Sequence, residues 1–392
     1  MDPNSILTNR IRSFQTNLVS HSIDIAILTH SRDVFYYTGV AQPSVFLITP
    51  ISFHLFIKRG WQFATNDLQL DRQHAVQGNE KDVARKLKEL GKDRGVVGLE
   101  MDAIAAQTYF AWKKRLSDCA FVDISPIILE QRQVKDENEI ALIKQACQNA
   151  DTGHGRVKDV LKEGISEIEL AIEIETALRT AGDEGTAFMR QPGLFLSRVV
   201  LGSGPNLYKW TGVAFSITGS GASPALPVGP SPRKIKRGEL VVVDLGGCFR
   251  GYHADASRTY SVGKADSEIL WLFSALKDIS DTIISNLRPG VECRRLYNIA
   301  FKCAEKHNLE QFFLKLDDKS QTRLVGHGIG LEVNEPPVLS ANEGSIVQEG
   351  CVLAIEVHIM HPKGVVKLED DVLVTRHGAE ILTSTPRTLI EV

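Results

Sequence analysis

Two acidic residues, Asp244 and Asp255, are the first positions in this chain whose type and spacing point to chemistry. Val241-Val242-Val243 is apolar and β-branched and reads as a buried strand. Asp244 ends that run, and Gly246-Gly247 turn the chain. Asp255 follows eleven positions later in Gly251-Tyr252-His253-Ala254-Asp255, before a second strand-like run at Arg258-Thr259-Tyr260-Ser261-Val262. A hairpin brings two carboxylates at this spacing onto one face, where like charges repel unless a cation lies between them. The pattern points to a metal.

Three further stretches supply the other groups such a site needs. Gly326-His327-Gly328-Ile329-Gly330 sets an imidazole among glycines, which permit close backbone approach. Ala354-Ile355-Glu356-Val357 and Val366-Lys367-Leu368-Glu369-Asp370-Asp371-Val372 each place a carboxylate inside a strand-like apolar run. Desolvating an unpaired carboxylate is expensive, so an inward-facing acid in a strand calls for a partner. Four carboxylates and one histidine form a hard, oxygen-rich set. It suits two divalent ions such as Mn, Co, Fe or Zn better than a single structural zinc.

The ordered set Asp244, Asp255, His327, Glu356, Glu369 resembles the dinuclear site of the pita-bread metallohydrolases. That family holds methionine aminopeptidase, aminopeptidase P, prolidase and creatinase. The resemblance extends along roughly the whole chain and takes in Gly-His-Gly-Ile-Gly and the final Glu369-Asp370-Asp371-Val372-Leu373-Val374-Thr375. It implies Asp244 on one ion and His327 and Glu356 on the other, with Asp255 and Glu369 bridging and manganese favoured. It also implies a bridging hydroxide that attacks a carbonyl or amidine carbon, Glu356 taking the water's proton.

The chain departs from the family around that metal set. Its peptidases usually carry a histidine in a Leu-Pro-His-Gly stretch upstream of the first ligand. Here Ala225-Leu226-Pro227-Val228-Gly229-Pro230 offers Val228 instead. They also usually have histidine before Glu-Pro, where Leu331-Glu332-Val333-Asn334-Glu335-Pro336 offers Asn334. Valine cannot handle a proton, and asparagine can donate a hydrogen bond but is neither acid nor base. Glu356 is followed by Val357-His358-Ile359-Met360-His361-Pro362 rather than the usual Pro-Gly turn, so His358 or His361 could replace a missing histidine, or either is a solvated loop residue. Lys367 stands where proline-directed members often have arginine. The stretch Asn206–Ala222 is longer than the corresponding peptidase loop, and Tyr208, Trp210 and Arg190 are candidate pocket residues by position, or ordinary loop packing and surface charge. His253 and Cys248 near the site read as structural.

These residues need elements to position them, and 392 residues exceed one typical core, so two domains are expected. The expected class is α+β: an N-terminal creatinase-like α/β domain over 1–131 and a C-terminal pita-bread catalytic domain over 132–392 with pseudo-two-fold αβ repeats. In the first, Ile6–Ser20 has helical spacing, Ile23–Leu28 reads as a strand, and Phe35–Val40 follows. Ser44–Ile48 with Ser52–Ile57 looks like a hairpin. Helix Asp82–Leu90, strand Gly95–Leu99, helix Gln107–Arg115 and strand Ala120–Asp123 complete an alternating unit. Leu129–Lys135 reads as the hinge and Glu137–Ala150 as an amphipathic helix. A faint repeat follows: Leu161-Lys162-Glu163-Gly164-Ile165 and Leu287-Arg288-Pro289-Gly290-Val291 each precede a helix leading to site-bearing strands.

Composition narrows the remaining classes. Hydrophobic content of 43% with 24% charged residues is that of a soluble globular protein, and a net charge of -3 gives no case for nucleic acid or acidic membranes. No apolar run approaches ~18 residues, no signal peptide is visible, and six scattered cysteines suit reduced thiols in the cytoplasm. The leading expectation is an Xaa-Pro peptidase-like aminopeptidase or dipeptidase acting on small peptides or amides, homodimeric by resemblance. The alternatives are a creatinase-like C–N hydrolase or lyase on a small metabolite, and a non-catalytic binding module, against which the full ligand set counts.

Overall fold

The computed structural model describes residues 3–191, 193, 196–214 and 216–392. The chain divides into two compact units, Met1–Arg132 and Gln133–Val392. The first contains helices α1 (Pro3–Ser20), α2 (Ser31–Thr38), α3 (Trp61–Asp67), α4 (Glu80–Glu89), α5 (Ala106–Arg115) and α6 (Ser125–Gln133). They accompany strands β1 (Ile25–Leu28), β2 (Ser44–Ile48), β3 (Phe53–Ile57), β4 (Ala75–Gln77), β5 (Gly95–Leu99) and β6 (Cys119–Asp123), in sheet order β4-β3-β2-β1-β5-β6. β1 is buried along its whole length, as its unbroken apolar run requires.

Two stretches of this unit differ from the sequence reading. Phe35–Thr38 is the end of α2, closed by Gly39 in the left-handed conformation at φ 71°. The stretch read as a hinge is helical through Gln133. Its Arg132 is buried because its guanidinium donates to Asp33 Oδ1 at 2.6 Å, a pairing across 99 positions that local sequence cannot announce.

The second unit holds α7 (Glu137–Val160), α8 (Glu167–Thr180), α9 (Ser267–Asn286) and α10 (Cys293–Lys306). Its strands are β7 (Val199–Ser203), β8 (Leu240–Phe249), β9 (Tyr252–Ser261), β10 (Leu324–Gly328), β11 (Glu335–Ser340), β12 (Val352–His361), β13 (Gly364–Thr375), β14 (Gly378–Ile381) and β15 (Ile390–Glu391). The main sheet runs β11-β10-β12-β13-β9-β8-β7. One apolar cluster joins Val157, Leu170, Ile174 and Leu178 of α7 and α8 to Val241, Val243 and Leu245 of β8. The other joins α9 and α10 to Leu353, Ile355 and Val357 of β12 and Leu368 of β13. Each repeat segment joins the two helices of its pair, so the faint repeat is visible as two covered halves of one sheet.

Period-two alternation then decides what lies opposite the helices. In β8 the odd-numbered residues pack on α7 and α8, which turns Asp244 to the other face. In β12 and β13 the same rule turns Glu356 and Glu369 away from α9 and α10. Gly246-Gly247 does not turn the chain. β8 and β9 pair without interruption, Gly246 opposite Asp255, and the turn is Arg250-Gly251, both at positive φ (49° and 80°) as a two-residue hairpin demands. Gly247 serves close approach instead, since a Cβ there would lie 2.4 Å from the Ala146 carbonyl oxygen of α7.

α7 runs ten residues past the expected end at Ala150. Gly153 lies in this extension, and a Cβ on it would lie 2.9 Å from Leu178 and Leu245, so the glycine lets α7 seat closely. His154 is fully buried, its Nδ1 accepting from the Tyr260 hydroxyl at 2.9 Å and its Nε2 donating to the Ala256 carbonyl at 3.2 Å. Among the described residues no helix is long and apolar enough to cross a membrane, and all six cysteines are free thiols.

Burial and the Arg258 guanidinium hold His154 down at about 3, from an unfolded value of 6.5. The unfolded chain therefore takes up a proton that the folded chain refuses, and stability falls as pH drops from 6.5 toward 3. The stability difference between the protein and its His154→Gln variant, measured by urea unfolding, should be constant above pH 7. Below pH 6 it should narrow by up to about 1.4 kcal/mol per pH unit; a difference that does not change with pH contradicts this account.

Candidate metal centre

One transverse row of the main sheet builds the site. Asp244 in β8 stands opposite Ser257 in β9, Ser257 opposite Glu369 in β13, and Glu369 opposite Glu356 in β12. Residues directly opposite share a face, with Cβ atoms about 4.5–5.5 Å apart. Asp255 lies two residues before Ser257 and so joins the same face. His327 in β10 stands opposite Ala354, two residues before Glu356. Its Nδ1 donates to the Gly328 carbonyl at 3.0 Å, which leaves Nε2 for the site.

Two overlapping groups of ligand atoms result, each within 4.8 Å throughout: Asp255, His327 and Glu369, and Asp244, Glu356 and Glu369. The resemblance pairs Glu356 with His327, whereas here Glu356 groups with Asp244. The reason is a buried cation. Lys367 Nζ lies 2.5 Å from Asp244 Oδ2, 2.7 Å from Glu356 Oε1 and 3.2 Å from Glu369 Oε2, with its side chain 1% exposed. Burial penalises the ammonium, but the three carboxylates outweigh that and hold its pKa well above the ordinary lysine value.

In the first group that cation contacts only Glu369. Burial, then the Glu369 and Asp244 charges, push the Asp255 carboxyl well above its ordinary value, and burial with Glu356 and Asp244 does the same to Glu369 despite Lys367. Burial also acts upward on Glu356, yet Lys367 and His327 hold it down at about 2. A donor set of carboxylate oxygens and one imidazole nitrogen, with more negative charge than the protein compensates, fits a divalent cation.

Neighbours hold these groups in place. Ser257 Oγ donates to Glu369 Oε2 at 2.8 Å. Asp371 Oδ2 accepts from the Asp255 backbone N–H at 2.9 Å and from Cys147 Sγ at 3.4 Å, and burial pushes the Asp371 carboxyl up to about 8. A cleft bordered by Thr186, Ser197, Arg198 and Val333 reaches Asp244 and Asp255.

The profile of metallopeptidase family M24 matches residues 141–376, and that of the creatinase/prolidase N-terminal domain matches residues 10–134. The chain belongs to metallopeptidase family M24. It is 26% identical over 391 residues to an Xaa-Pro dipeptidase of Pyrococcus horikoshii, covering 98% of this chain and 99% of that one. A probable dipeptidase, PepE, of Mycobacterium tuberculosis is 31% identical over 268 residues, 68% of this chain and 62% of that one. Among solved structures, an Xaa-Pro dipeptidase from Bacillus anthracis superposes with a TM-score of 0.83 at 23% identity, covering 98% and 100% of the two chains. The prolidase of Pyrococcus horikoshii gives 0.79 at 25%, covering 97% and 100%.

As an M24 member the protein is a metal-dependent hydrolase that uses divalent ions, with an α+β fold in which a creatinase-like N-terminal domain precedes the catalytic one. The other candidate residues fall outside the row. His358 shares the Glu356 face, but its Nε2 donates to the Lys315 carbonyl at 2.9 Å, and burial lowers it to about 4, which keeps it neutral. His361 sits at the β12–β13 turn against Phe312. Asn334 is exposed and Val228 buried. The Tyr208 hydroxyl donates to the His361 carbonyl, at the far end of β12 from Glu356. The Trp210 indole donates to the Ala214 carbonyl, within the expected long loop, of which Phe215 lies outside the described residues. Arg190 lies 3.6 Å from buried Glu332. His253 bridges backbone, its Nδ1 donating to Gly330 and its Nε2 accepting from Phe188.

Sequence reasoning did not place Lys367 or Asp371 in the M24 centre. The signal was present: Lys367, Glu369 and Asp371 alternate along one strand and must share a face. Asp255→Ala or Glu369→Ala should each weaken binding of divalent metal by more than about 100-fold, the most that even outer-shell substitutions cost, with far-UV circular dichroism unchanged. Metal content after dialysis is the measurement, and undiminished binding in both variants contradicts the site.

Proposed function

We propose that this protein is a dipeptidase that hydrolyses the amide bond of small Xaa-Pro peptides. One observation carries the reading: Asp244, Asp255, His327, Glu356 and Glu369 converge on one sheet face in a chain similar over 98% of its length to an Xaa-Pro dipeptidase. We assign those five residues as the metal ligands, residues 1–131 as the creatinase-like domain and 132–392 as the catalytic domain. Divalent ions bound there supply Lewis acidity toward a carbonyl and make water acidic enough to deprotonate near neutral pH. Glu356 is ionised at neutral pH and takes the proton of the attacking water. Ser257 and Asp371 hold Glu369 and the Asp255 backbone in place, so the charged groups need not reorganise. Manganese suits the oxygen-rich set. The free thiols suit the cytoplasm, and a homodimer is assigned by the resemblance alone.

A second reading, a C–N hydrolase or lyase acting on a small metabolite, draws support from the committed histidines. His358 spends its Nε2 N–H on the Lys315 carbonyl and His253 spends both ring nitrogens on backbone groups, so neither has a ring N–H to spare for a leaving amine.

Xaa-Pro dipeptides, longer Xaa-Pro peptides, creatine and other small amides should be assayed after chelation and reloading with manganese. Dipeptide cleavage abolished by chelation and restored by metal is expected. Glu356→Gln should lower kcat by about 10²–10⁴-fold, the usual weight of a general base, with KM little changed. Turnover of a small amide but no peptide would transfer the assignment to the second reading.

A further inference from the structure

We infer that the Lys367 ammonium occupies the seat formed by Asp244, Glu356 and Glu369, so that this chain holds one divalent ion tightly, on Asp255, His327 and Glu369, and a second only by displacing the lysine. The inference rests on the ligand assignment proposed above and goes beyond it by making the two seats unequal.

The geometry matches donor to acceptor. An ammonium carries three N–H groups and no acceptor. Lys367 Nζ meets one oxygen from each of three carboxylates, at 2.5, 2.7 and 3.2 Å. The backbone holds the lysine there: its N–H donates to Thr259 Oγ1 at 2.9 Å, and its carbonyl accepts from the same hydroxyl at 2.8 Å. An arginine, with its planar fork, lies along the edge of one or two carboxylates and does not serve as a point charge among three. Lysine at this position therefore does what a metal ion does, drawing Glu356 toward Asp244.

A divalent ion on that seat needs the same oxygens. The ammonium, 1% exposed, would then give up all three partners inside the protein, and an unpaired buried charge is costly. The other group includes the imidazole nitrogen and no lysine, and its Asp255–His327 separation of 4.0 Å leaves the two side chains apart and able to close on an ion. Its only shared member is Glu369, whose contact with Lys367 is the longest of the three.

The test is a metal count that needs no substrate. Apoprotein is titrated with Mn2+ and followed by calorimetry, by metal analysis after gel filtration and by electron paramagnetic resonance. The full chain should retain one ion, with the resonance of an isolated Mn2+, and bind a second at least about 100-fold more weakly, as displacement of a buried ion pair requires. Lys367→Met and Lys367→Arg should each retain two ions of comparable affinity with the signal of a coupled pair. Two tight ions in the unsubstituted protein overturn the inference, as does a single tight ion in both variants. The unsubstituted protein alone decides the first point if a variant fails to fold. No bound ion in any form overturns the metal centre itself. Xaa-Pro cleavage, assayed in parallel, separates the readings, because a shifted ion count without peptide turnover removes only the substrate assignment.

Discussion

Crowding of carboxylates on one buried sheet face is the constraint on which the rest of this molecule depends. At about 4 Å two like charges repel by about 4 kcal/mol even at an effective dielectric constant of 20. Asp244, Asp255, Glu356 and Glu369 are brought to such distances by strand register, before any ligand acts on them. A row of this kind persists only if cations are part of the folded state. Lys367 is the one the described chain supplies directly to three of the four, and divalent metal is what the family adds.

The surrounding structure sorts charges into those already satisfied and those left for the metal. Glu369-Asp370-Asp371 is the clearest instance. Alternation along β13 sends Asp370 to the helix-covered side, where Arg258 Nη2 donates to it at 2.6 Å and Arg387 Nε at 2.7 Å. Glu369 and Asp371 point to the site face, and there Asp371, its pKa raised to about 8, braces the Asp255 backbone instead of adding charge at neutral pH. The two helix pairs exclude water from the opposite face, so the sheet is stiff where the ligands stand.

Family membership settles the reaction class but leaves the chemistry near the leaving group open to variation. Val228 and Asn334 carry no acid or base, and His358, the nearest imidazole on the Glu356 strand, serves the Lys315 carbonyl. Lys367 for arginine belongs to the same set of departures. Together they describe a site whose proposed ligand set resembles that of M24 while its proton and charge management is its own.

The sequence by itself determined the two-domain α+β class and the repeat of loop, helix and strand, and it picked out the five residues proposed as ligands. Each of these rests on residue type and spacing along the chain: apolar runs mark strands, and an acid inside such a run marks a charge that must find a partner. It misjudged Gly246-Gly247 and Leu129–Lys135, because glycine used for close approach looks the same as glycine used to turn, and because partners such as Asp33 for Arg132 lie far away in the chain. Which ligands group together was decided only by the tertiary structure. Asp244, Ser257, Glu369 and Glu356 fall into one row through the register of four strands, and a lysine's charge acts on whatever that register sets around it. Register is a property of paired strands, so β13 alone shows that Lys367 shares a face with Glu369 but not that Asp244 and Glu356 stand around it.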